Sequence, residues 1–95
     1  MGAISNTPTH QGDLLALGRQ KRGFRATIIA FDESALDSDG IPTVNRLREL
    51  GFCEGSHVEI AHESPFGRDP IVVRVDGMTV ALRRAEAERV LVEIA

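Results

Sequence analysis

The sequence predicts a small, mainly β domain: a barrel of about five short strands with one short helix. Three observations carry this. Short runs of alternating apolar and polar residues crowd the second half of the chain, as strand side chains do. Asp76-Gly77 between two such runs is a two-residue hairpin signal. Val44, Leu47 and Leu50 recur at helical spacing and are followed at once by Gly51.

The elements follow in order. Residues 1–13 carry Gly2, Pro8, Gly12 and mostly small polar side chains, and are expected to form a mobile tail ahead of a barrel domain over 14–95. Leu14, Leu15 and Leu17 make a greasy turn ended by Gly18. Phe24 to Phe31 is the first strand, with Ala26, Ile28 and Ala30 on one face. Asp32 to Gly40 is acidic and turn-rich, hence a loop. Pro42 suits the first turn of the helix that follows, where its missing N–H costs nothing. Gly51 is the left-handed stop, and Phe52 folds back onto the helix stripe. His57 to Glu63 is the second strand, with Val58, Ile60 and His62 inward. Ile71, Val73 and Val75 line the third, and Met78, Val80 and Leu82 the fourth. Arg84 to Glu88 is one helical turn, and Val90, Val92 and Ile94 alternate in the closing strand. Closure into a barrel answers the exposed-edge problem of so small a sheet.

Composition bounds the function. Ninety-five residues make one domain, which buries roughly 60–70% of its unfolded surface. A net charge of −3 argues against nucleic-acid binding, which needs a dominant basic surface. With no Trp, no Tyr and four Phe, the chain lacks a stacking platform for single strands and an aromatic groove for proline-rich peptides. No phosphate-cradling glycine loop is present. One cysteine cannot form an internal disulfide, which fits a reducing, cytoplasmic setting. No run is long and apolar enough to span a bilayer, so a membrane would be reached only through a partner.

No catalytic constellation emerges, and the chain is expected to be no enzyme. Cys53, His57 and Glu59 have metal-ligating chemistry, but Cys53 sits in a turn while only His57 and Glu59 share a strand face. No metal and no cofactor are assigned. Arg19, Lys21, Arg22 and Arg25 form a basic cluster near the acids Asp32, Glu33, Asp37 and Asp39, read as a solvated surface or an electrostatic docking edge. The expected partner-binding residues are Phe66 and Arg68 at a hairpin tip, with Arg83 and Arg84 at a strand end; the competing readings are a Phe66 folded back over the barrel mouth and arginines that serve only to solvate the helical turn. An aromatic anchor flanked by arginine is the usual make-up of an interface centre.

Taken in order, R-L-x-x-L-G-F-x-x-G-x-x-V, P-x-G-x-D-P-I, V-A-L-R-R-x-E-A and V-x-V resemble the FeoA family of small bacterial proteins of ferrous iron uptake. The resemblance covers Leu14 to Ile94. Leu47, Leu50, Gly51 and Gly55 match the helix-and-turn signature; Pro65, Gly67, Asp69 and Pro70 the hairpin; and Leu82, Arg83, Arg84 and Ala87 the late strand-to-turn. Two departures stand out: Glu54 occupies a position often held by proline, and Arg68 opens the usual Gly-Asp-Pro. The resemblance implies an SH3-like barrel acting beside the cytosolic part of a FeoB-type GTPase transporter. It also implies an alternative, a metal-responsive regulatory barrel like the appended domain of iron-dependent repressors. A third possibility is a generic interaction module that self-associates through a strand edge.

Overall fold

The computed structural model describes residues 14–33 and 40–94. The expected tail over 1–13, and the middle of the acidic loop over 34–39, lie outside them. The elements are β1 (Leu15–Ala16), a 3-10 turn (Leu17–Arg19), β2 (Arg25–Phe31), α1 (Gly40–Glu49), β3 (His57–Glu63), β4 (Ile71–Val75), β5 (Met78–Leu82), α2 (Arg84–Ala87) and β6 (Val90–Ile94). The strands form one antiparallel sheet in the order β1-β6-β2-β3-β4-β5. Strands from across that order feed a single core of Ile28, Phe52, Ile60, Ile71, Val73, Leu82, Val90 and Val92 with their neighbours. A sheet whose inner face converges on one core must curl, and the result is a small β barrel; among the described residues β5 is not paired with β1, so the curl does not remove the sheet's edges as expected. No described helix is long and apolar enough to cross a membrane.

The stop of α1 is a Schellman motif. The Gly51 N–H donates to the Arg48 carbonyl at 3.1 Å and the Phe52 N–H to the Leu47 carbonyl at 3.0 Å. Gly51 takes φ +108°, and a side chain there would also meet the Met78 methyl. Phe52 then drops into the core beside Leu47, both fully buried. Glu54 closes the same turn from outside: its carboxylate accepts from both terminal nitrogens of Arg48, at 2.9 and 3.1 Å. That bidentate pair holds the Glu54 carboxyl below its usual range, the Arg48 hydrogen bond being the main cause. Arg48 also lies over the Phe31 ring, 4.5 Å from its centroid.

At Gly18 the 3-10 turn packs against α2 so closely that a Cβ would sit 2.6 Å from the Glu88 amide nitrogen. Only glycine permits that approach, which ties the start of the domain to its end.

Several expectations need correction. Leu15 and Ala16, read as part of a turn, form a two-residue strand on β6. His62 is exposed, not inward, because the β3–β4 register shifts between Ile60 and His62 and the bulge turns it over. Met78 and Ile94 have the inward parity, yet they are 51% and 66% exposed. Each lies at a strand end where the core has run out. Leu50 and Val80 are partly buried and pack against the core rim.

Candidate partner-docking surface

Seven residues, Ser64 to Pro70, join β3 to β4 and set the shape of the candidate site. Ser64 organises the loop. Its N–H donates to the Pro70 carbonyl at 3.0 Å, its carbonyl accepts from the Arg68 N–H at 3.1 Å, and its hydroxyl accepts from the Phe66 N–H at 3.2 Å. Gly67 and Arg68 both adopt left-handed backbone, at φ 76° and 63°, and the Asp69–Pro70 peptide is cis. Arg68 thus holds a conformation that costs a residue with a Cβ about 1–2 kcal/mol. Consecutive left-handed residues bend the tip sharply and leave Phe66 with no core to enter. Phe66 is 85% exposed. A phenylalanine left in water forgoes roughly 1.5–3 kcal/mol of burial energy.

The loop is braced from below by Arg84. Its backbone N–H donates to Asp69 Oδ1 at 3.0 Å. Its guanidinium donates to the carbonyls of Arg68 at 2.8 Å, Gly18 at 3.0 Å and Gln20 at 2.7 Å. The remaining nitrogen pairs with Glu63 Oε2 at 2.6 Å, both side chains being about one-fifth exposed. One side chain therefore joins the 3-10 turn, the end of β3 and the loop tip. Sequence reasoning placed Arg83 and Arg84 together as contact residues. The structure separates them: Arg84 points back as a clamp, whereas Arg83 is exposed and has no ion pair among the described residues. Arg68 likewise presents an exposed side chain with no such pair. The Arg83 N–H is held by Glu86 Oε1 at 3.0 Å, the returning half of a capping box at the start of α2. Glu86 also pairs with Arg46 of α1. The tip residues Phe66 and Arg68, the strand-end Arg83 and the clamp Arg84 thus belong to one end of the barrel.

The other candidates have different roles. Cys53 Sγ contacts Ser56 Oγ at 3.1 Å, and His57 Nδ1 lies 3.4 Å from Thr27 Oγ1. Glu59 sits between Arg25 at 3.5 Å and Arg74 at 3.1 Å, its direct cross-strand neighbours on β2 and β4. Those three side chains are each committed elsewhere and do not form a ligand set. A shallow groove lined by Arg25, His57, Glu59, Arg74 and Asp76 lies over this charge ladder, but its charges largely answer one another. In the basic cluster, Arg19 lies 3.8 Å from Glu88 and Arg25 pairs with Glu59, while Lys21 and Arg22 are exposed with no ion pair among the described residues.

The FeoA domain family matches residues 15–94. FeoA of Stenotrophomonas maltophilia is 32% identical over 83% of this chain and 89% of its own, with a TM-score of 0.69. That protein was solved with zinc, is described as a prokaryotic SH3 domain protein, and has been suggested as an activating factor of ferrous iron transport. A FeoA-like protein from Clostridium acetobutylicum shares the fold at TM-score 0.73 and 23% identity, over 86% of this chain and 87% of that one. The fold also recurs in a manganese-dependent transcriptional repressor, at TM-score 0.70 and 20% identity, where 86% of this chain matches 42% of the longer protein. No curated protein is significantly similar in sequence.

Proposed function

Because the chain belongs to the FeoA family, we propose that it is a non-enzymatic cytoplasmic accessory of ferrous iron uptake that docks on the cytosolic part of a FeoB-type GTPase transporter. The observation that carries this reading is Phe66. A phenylalanine 85% exposed, on a loop whose backbone is pinned by Ser64, Asp69 and Arg84, is an anchor presented at little ordering cost. Arg68, two residues on, and Arg83, next to the clamp Arg84, are exposed and supply charge for orientation and encounter rate. Arg84 acts beneath the surface by holding the tip in shape.

The S. maltophilia relative supports the assignment to iron transport. The alternative, a metal-responsive regulatory barrel, rests on the fold shared with the manganese-dependent repressor, which at 20% identity is a likeness of fold alone.

The test is binding of the purified chain to the transporter's cytosolic GTPase domain, with wild type and Phe66→Ala compared beside their melting curves. We expect the variant to fold as wild type does and to bind at least tenfold more weakly. Equal binding by a folded variant would remove the tip from the interface.

A further inference from the structure

The two edges of the sheet are built differently. β1 is two residues long, and so short an edge offers little to pair with. β5 is five residues, Met-Thr-Val-Ala-Leu, with no charge, proline or bulge within it. Among the described residues it pairs on one side only, with β4. Among the described residues none of the usual devices that blunt an edge strand is present.

The register shows what this edge offers. Asp76 and Gly77, at φ 47° and 89°, form the two-residue loop of the β4–β5 hairpin, so Val75 and Met78 flank it. That flanking pair is hydrogen-bonded in such a hairpin, and hydrogen-bonded and open pairs alternate along an antiparallel ladder. Val73–Val80 and Ile71–Leu82 are then the next bonded pairs, which sends the N–H and C=O of Thr79 and Ala81 outward. Both residues are exposed.

We propose that β5 pairs antiparallel with β5 of a second copy of this chain about a two-fold axis at Val80. In that register Thr79 of each copy faces Ala81 of the other, and the four outward groups of each strand are satisfied reciprocally. Met78, which is 51% exposed, and the half-buried Val80 gain cover on the inner face. The charges at the strand ends favour the same arrangement. Asp76 precedes the strand and the exposed Arg83 follows it, Arg84 being turned back as the clamp, so antiparallel pairing sets the acidic turn of one copy beside the basic end of the other. A parallel arrangement would set like charge against like. The two copies thereby extend one sheet across the axis, a self-complementary interface of the kind a closed dimer requires. This inference does not depend on the docking role of Phe66.

The test is the mass of the full chain in solution across a concentration series, by light scattering and sedimentation. We expect a concentration-dependent dimer that weakens with salt. Thr79→Pro and Ala81→Pro each remove one outward donor without touching the β4 ladder, and should leave a folded monomer. Val80→Cys in a Cys53→Ser background should cross-link into a disulfide dimer under mild oxidation, because open pairs bring Cα atoms to about 4.5 Å. Phe66→Cys in the same background should not. A wild type that stays monomeric into the millimolar range, with no cross-link at position 80, overturns the proposal. A monomer whose Thr79 and Ala81 amides are protected from exchange overturns it too, because the edge is then already covered within one chain.

Discussion

Replacing Arg84 with alanine removes four guanidinium hydrogen bonds at once. Three of them run to backbone carbonyls of Gly18, Gln20 and Arg68, which water can reach in part once the side chain has gone. Hydrogen bonds to a charged group contribute about 1.5–3 kcal/mol each, but those of one side chain do not add. The Glu63 pair, with both partners about one-fifth exposed, lies between an exposed pair, worth about 0–1 kcal/mol, and the roughly 3–5 kcal/mol lost when a buried pair is broken. After discounting for solvent, the sum is about 2–4 kcal/mol, a large share of the 5–15 kcal/mol expected for a whole domain. In a chain of this length that lowers the melting temperature by roughly 10–25 °C. The assay is urea unfolding followed by circular dichroism, with Glu63→Gln and the double variant completing a cycle. Arg84→Lys should recover only a small part, since an ammonium cannot reproduce the planar fork that reaches four acceptors. If Arg84→Ala unfolds within about 0.5 kcal/mol of wild type, the level of an ordinary surface change, then the clamp does not exist.

Three further outcomes are expected. Phe52→Ala empties the centre of the core and should cost about 3–5 kcal/mol in the same urea assay. Arg83→Glu should leave stability within about 0.5 kcal/mol and weaken binding to the transporter domain, more at low salt than at high salt, because screening already weakens exposed charges. Asp76 accepts hydrogen bonds from the Ser56 hydroxyl first and then from the His57 N–H, so its folded pKa lies below the ordinary aspartate value of about 3.9. Its stabilisation is therefore fully present above that pH and is lost as pH falls through the lower folded value. Melting temperatures of wild type and Asp76→Asn should differ at neutral pH and converge only in strong acid.

Local physics explains why much of the fold could be read before any coordinates. β3 and β4 run over the residues their alternation marks, and α1 stops where a glycine followed by an apolar residue predicts. β1, His62 and the two arginines were misread because each depends on contacts with another element, whereas Met78 and Ile94 keep their parity and lose burial only because the core ends there. β1 exists only because β6 lies beside it, and two residues carry no period of their own. The bulge that turns His62 out is a property of the β3–β4 pairing, not of either strand. Adjacent arginines look alike on paper. Which of them turns back is decided by carbonyls at Gly18 and Gln20, more than sixty positions earlier. For Phe66 two outcomes stayed open in the sequence, an exposed tip or a ring folded back over the barrel mouth, and the left-handed backbone at Gly67 and Arg68 decides for exposure.

The left-handed backbone of Arg68 has a consequence for how this protein can change. Asparagine occupies that region far more cheaply than arginine, so Arg68→Asn is expected to relax the tip and raise the melting temperature. It also removes a cation from the proposed docking surface. At this position, then, selection for a sturdier domain and selection for the proposed partner contact point in opposite directions. Libraries screened on thermal tolerance alone should drift away from arginine here, and the variants they return should be robust proteins with impaired partnership.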